Sequence, residues 1–125
     1  SILNRLSGVY AGEPSLAFER KLVRGFAPEL DKAQVMTVTK CLRAVRKAVQ
    51  EAGLALEISA RTASMVTKRL RRRLARGDAF EQALNESFGV VKGMCSEADN
   101  RMTVEGALDP IIGSNAITQA SQQQP

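Results

Sequence analysis

There is no histidine and no tryptophan in this sequence of 125 residues, and there are only two cysteines and one tyrosine. The missing histidine excludes serine-type triads and most zinc enzymes, and removes the usual proton carrier near neutral pH. Cys41 and Cys95 are too few for a disulfide scaffold, and neither has a close cysteine partner for a zinc knuckle. They read as small, buried, reduced hydrophobic residues. Aromatic residues make up 4% of the chain, so Leu, Val, Ala and Met must fill its core. No stretch approaches the roughly 20 apolar residues that span a bilayer. The start, Ser1-Ile-Leu-Asn-Arg-Leu6, is too short and polar for a signal peptide. A cytoplasmic protein with no membrane partner is expected.

What is present amounts to one folded domain, with 44% apolar and 25% charged residues. The net charge of +5 is unevenly placed. Residues 58–77 hold seven basic groups (Arg61, Lys68, Arg69, Arg71, Arg72, Arg73 and Arg76) and no acid. The remainder has a slight acidic excess, so the positive balance belongs to this one segment.

The pattern predicts a mainly α fold, a small four- to five-helix bundle behind an irregular or briefly extended N-terminal segment. Residues 1–14 are punctuated by Gly8, Gly12 and Pro14, and Val9-Tyr10-Ala11 is at most a short strand. The helical domain is expected over 15–112. A first helix near 15–25 has Pro14 in its first turn, Phe18, Leu22 and Phe26 as its apolar stripe, and Gly25 and Pro28 as its stop. A second, near 31–52, begins with Asp31 and Gln34 in capping-box spacing and ends at Gly53. Its seam of Val35, Val38, Leu42, Val45, Val49 and Ala52 fits an internal core face best, with a homo-oligomeric coiled coil as the alternative. Leu54, Leu56 and Ile58 alternate in a short extended link. Ser59 then caps a helix near 60–76 with the thin core face Ala63, Val66, Leu70 and Leu74. Gly77 ends that helix. Asp78 and Glu81 predict a second capping box for a helix near 79–95 that carries Phe80, Leu84, Phe88, Val91 and Met94. Met102, Val104, Leu108, Ile111 and Ile112 suggest a further short helix or strand around Pro110. Residues 113–125, with three consecutive Gln and no charge, are expected to be a mobile polar tail. The predicted core is Leu22, Phe26, Val38, Leu42, Val45, Val49, Val66, Leu70, Leu84 and Phe88.

The sequence contains no Walker A loop, no glycine-rich dinucleotide loop and no nucleophile–base constellation, so no catalytic residue and no metal ligand is assigned. The run Lys68, Arg69, Arg71, Arg72, Arg73 and Arg76 is the loudest feature. It suits phosphate backbone, where each neutralised phosphate releases a counterion. The plainer alternative is a solvated helix whose last-turn arginines complement the helix dipole. Arg76-Gly77-Asp78 and Asn85-Glu86-Ser87 match an adhesion tripeptide and a glycosylation sequon by chance, since Gly77 and Asp78 lie at a helix junction and Asn85 lies within a helix.

The order of elements carries a resemblance. Glu19-Arg-Lys-Leu-Val23 and Ala27-Pro28-Glu-Leu30 are followed by Cys41-Leu-Arg-Ala-Val-Arg46 on the long helix. Next come Ile58-Ser-Ala-Arg-Thr62 and Gly77-Asp-Ala-Phe-Glu-Gln-Ala-Leu84-Asn-Glu-Ser-Phe88. Over residues 15–95 this resembles the C-terminal helical lid of AAA+ ATPases of the MoxR/CobS kind, most sharply at Ile58-Ser59-Ala60-Arg61. The resemblance implies that Arg61 is a sensor-type arginine for the γ-phosphate of ATP. The nucleotide site would be completed by an AAA+ core domain or neighbouring subunits. The Walker A and B segments, the sensor-1 strand and the arginine finger of that core do not occur in this sequence, so the module would bind no cofactor by itself. A guanidinium in the first turn after cap Ser59 is physically apt for that role, because helix N-termini favour anions; a surface pair with Glu57 is the alternative. The competing reading is a small basic nucleic-acid-binding or virion-type structural protein that binds RNA or DNA backbone and self-associates through the 35–52 seam. A purely structural bundle that docks a partner through its basic run is the third.

Overall fold

Short polar side chains start the first three helices of the computed structural model, which describes residues 15–113; residues 1–14 and 114–125 lie outside the described residues, and with them the expectations for Val9–Ala11, Pro14 and the Gln-rich tail. Ser15 Oγ accepts the Phe18 amide at 3.1 Å and opens α1, Leu16–Phe26. Asp31 and Gln34 form the expected box: Asp31 Oδ1 accepts the Gln34 amide at 2.8 Å, and Gln34 Oε1 accepts the Asp31 amide at 3.0 Å. Their helix, α2, spans Lys32–Glu51. Ser59 caps α3, Ala60–Ala75, reciprocally with Thr62.

α2 and α3 end alike. Gly53 and Gly77 take φ of +70° and +98°, a region that costs L side chains energy. The amides of Leu54 and Asp78 reach back to the carbonyls of Val49 and Arg73, while those of Gly53 and Gly77 reach Gln50 and Leu74. Both ends are Schellman motifs, which satisfy carbonyls the helix leaves open.

The expected box of Asp78 and Glu81 does not form. α4 spans Phe80–Ser87 with Ala79 at its N-cap and no side-chain cap. Asp78 already closes the end of α3 through its amide, and its carboxylate turns to Arg73 at 3.5 Å. The single helix expected over 79–95 is also divided. Ser87 Oγ donates to Ala83 O at 2.6 Å, and the amides of Val91 and Lys92 both turn to Phe88 O. A backbone-seeking hydroxyl followed by glycine weakens a helix at that point, and α5 covers only Gly89–Lys92. α6, Ala98–Leu108, continues into a π turn at Asp109–Gly113, where Pro110 has no amide to donate. No strand occurs among the described residues, and the chain is mainly α, as the sequence predicts.

One core joins the helices. α1 packs against α2 and α3, α3 against α4, and α6 against α2. Val35, Val38, Leu42, Val45 and Val49 are all buried in this core, so these five positions of the α2 seam form an internal packing face, while Ala52, at the C-cap, is exposed. Val66, Leu70, Leu84 and Phe88 are buried with them. The α1 stripe is displaced from expectation. Phe18 is 51% exposed, and Leu22 and Phe26 are half-buried, while Glu19 and Val23 point inward. Met94 is likewise exposed rather than part of the core.

The rotation of α1 follows from one polar contact. The Glu19 carboxylate is 1% exposed and meets the guanidinium of Arg46, itself 5% exposed. Arg46 Nη1 donates to Glu19 Oε1 at 3.1 Å, Nη2 donates to Oε2, and Nε donates to the Ile58 carbonyl at 2.9 Å. Arg43 approaches the same carboxylate at 3.4 Å. A buried charge is tolerable only when it is paired and hydrogen-bonded. The inward face of α1 is therefore the one that carries Glu19.

Candidate functional site

α3 presents the basic segment, and its core face decides which cations reach solvent. Ala63, Val66, Thr67 and Leu70 are buried. At about 100° per residue, Arg61, Lys68 and Arg72 fall within about 40° of one another on the opposite face. All three are exposed, as is Arg76 at the C-cap. Arg69 is half-buried on the flank, and Met65, 40% exposed, lies within the row. From Arg61 to Arg72 the row runs roughly 16 Å along the helix.

Two of the seven cations face other groups. Arg71 donates to the Phe26 carbonyl at 3.1 Å and to Glu29 Oε2 at 2.5 Å, which ties the end of α3 to the α1–α2 loop. The Arg71 hydrogen bond holds the Glu29 carboxyl below its ordinary range. Arg73 pairs with Glu86 and, at 3.5 Å, with Asp78. Arg61, Lys68, Arg69, Arg72 and Arg76 make no ion pair or side-chain hydrogen bond with any described residue. Arg61 does not pair with Glu57. The sequence spacing could count the seven charges but not separate these two sets. Glu29 is 42 residues from Arg71 in the chain, and Glu86 reaches Arg73 only once α4 has folded back.

The face has the chemistry of a binding surface. Planar guanidinium groups offer forked donors that match phosphate oxygens, and Lys68 adds a point charge. Among the described residues no three or more His, Cys, Asp or Glu side chains are grouped to hold a metal. Cys41 and Cys95 are both free and buried. Burial pushes the Cys41 thiol up to about 12, far from nucleophilic use. No helix among the described residues is long and apolar enough to cross a membrane. Comparison with known proteins returns no matching family model, no matching curated protein and no matching solved structure.

Proposed function

We propose that this chain is a non-catalytic helical module that binds the phosphate backbone of a nucleic acid along the exposed face of α3. The observation that carries the reading is the row of Arg61, Lys68, Arg72 and Arg76, flanked by Arg69, with no carboxylate of the described residues engaging any of them. An ordinary solvated helix face mixes signs, because like charges on successive turns repel. A polyanion relieves that repulsion and releases counterions as it binds.

The test is binding of a labelled oligonucleotide at several salt concentrations, for the wild type and for a variant with Lys68, Arg69, Arg72 and Arg76 all replaced by Gln. Each lost phosphate contact reduces the log–log salt slope by about 0.7–0.9, so four lost contacts reduce it by about 3. Absence of binding at low salt overturns the reading.

Arg61 supports a second reading, in which an AAA+-like lid offers a sensor arginine to ATP held by a core domain or neighbouring subunits. The supporting observation is its place in the first turn of α3, exposed and without a partner among the described residues. Under that reading Arg61→Ala impairs the ATP response of the assembled protein, and the four-site variant does not. Under the nucleic-acid reading Arg61 is one contact among several.

A further inference from the structure

The outer side of α1 concentrates a second set of cations, separate from the face of α3. Arg20, Lys21 and Arg24, with Lys32 from the start of α2, line an open groove completed by Ala17 and the ring of Phe18. No carboxylate of the described residues lines this groove. Glu19 is turned inward onto Arg46, and Asp31 Oδ1 holds the Gln34 amide. Lys21, Arg24 and Lys32 are exposed and make no side-chain contact with a charged or hydrogen-bonding partner among the described residues. Arg20 is half-buried and directs Nη1 at the Met36 sulfur, 3.2 Å away.

Phe18 makes this more than a patch of charge. It is the one aromatic side chain among the described residues that is exposed, since Phe26 and Phe80 are half-buried and Phe88 is buried. Its exposure is fixed by the fold, because the Glu19–Arg46 contact sets the rotation of α1 and leaves Phe18 on the outer side.

From this groove we infer that the chain prefers single-stranded nucleic acid, with an unpaired base stacked on Phe18 and the flanking phosphates held by Lys21, Arg24, Lys32 and Arg20. The inference rests on the phosphate-backbone reading and adds the strand type. A base has an open face only when it is unpaired and unstacked, and aromatic rings bind such faces without regard to sequence. A duplex can use the cations but not the ring. An acidic peptide likewise gains charge contacts without a base to stack.

The experiment compares a labelled oligo-dT, a blunt duplex of equal length and polyglutamate of matched charge, at several salt concentrations. The proteins are the wild type, Phe18→Ala, Phe18→Tyr and Lys21→Gln/Arg24→Gln/Lys32→Gln. The wild type is expected to bind oligo-dT more tightly than either competitor. Phe18→Ala weakens oligo-dT binding about fivefold or more and leaves duplex binding unchanged, while Phe18→Tyr retains the wild-type preference. The triple variant lowers the oligo-dT salt slope by about 2. Phe18 is exposed, so unchanged thermal unfolding of Phe18→Ala accompanies the expected result. Equal or tighter duplex binding, or oligo-dT binding indifferent to Phe18→Ala, overturns the strand preference and leaves the backbone reading standing. Equal binding of polyglutamate overturns recognition of a base. Absence of binding to all three polyanions overturns the backbone reading as well.

Discussion

Glu19 and Arg46 lie 27 residues apart in sequence and meet with both side chains almost wholly removed from water. The same guanidinium holds the Ile58 carbonyl, so one side chain joins α1, α2 and the link that enters α3. Removing only one partner leaves an uncompensated buried charge. Glu19→Ala is therefore expected to cost about 3–5 kcal/mol in urea unfolding. Replacing both together, Glu19→Leu with Arg46→Met, should cost much less than the sum of the single changes. A single-variant loss near zero would show that the pair is open to solvent.

Leu42 lies at the middle of the α2 seam and is fully buried. Leu42→Ala should cost about 2–5 kcal/mol, through lost transfer free energy and the cavity left behind. Chemical denaturation at constant m-value checks this, and a loss below about 0.5 kcal/mol would place the seam at the surface.

Glu29→Gln should change binding more than folding. Glu29 lies on the surface and engages Arg71 beside the face proposed to bind a polyanion. Without the carboxylate, only the neutral Phe26 carbonyl holds Arg71 among the described residues, and a guanidinium that exchanges this bond for a phosphate should steepen the salt slope for oligonucleotide binding by up to about 0.7–0.9. Acid should act in the same direction as the substitution. Because the Glu29 carboxyl is held below its usual value of 4.5, its pairing with Arg71 persists above that value and is lost as pH falls through the lowered one. An unchanged or shallower slope in Glu29→Gln would mean that Arg71 cannot reach the bound strand.

How much of this was legible in the sequence depends on the range of each interaction. Asp31 with Gln34, Ser59, Gly53 and Gly77 act within a turn or two, and each takes its expected place. The rotation of α1 is different. Phe18, Leu22 and Phe26 have the right spacing for a buried stripe, yet Glu19 outweighs them because its partner lies on another helix. Local periodicity contains no record of that partner. The division of the seven cations into paired and unpaired sets has the same cause, since Glu29 and Glu86 arrive from distant parts of the chain. At Asp78 two local signals compete for one residue, and the end of α3 takes it.

Cys41 should be inert while the chain is folded. Burial raises its thiol from 9.0 to about 12. Iodoacetamide at mildly alkaline pH should label it slowly in the native protein and rapidly in denaturant. The raised value also gives a stability trend. The neutral thiol's contribution is complete below pH 9.0 and is lost as pH climbs toward about 12, because the unfolded chain ionises first. Rapid native labelling would show that α2 opens around Cys41.

Lys68, Arg72 and Arg76 stand on successive turns of α3 with no acid between them. Each such like-charged neighbour weakens an isolated helix by about 0.2–0.5 kcal/mol, so α3 relies on its buried face and its two capped ends. Dissolved salt then pulls in two directions. Mobile ions within a Debye length of about 10 Å at 0.1 M screen the repulsion and firm the free protein, while the same ions compete with any bound strand. The free chain should melt higher as salt is added, and the loaded chain should lose part of its ligand-derived protection. Their melting curves should therefore converge with rising ionic strength, and the interval between them at low salt measures how strongly occupancy and folding are coupled.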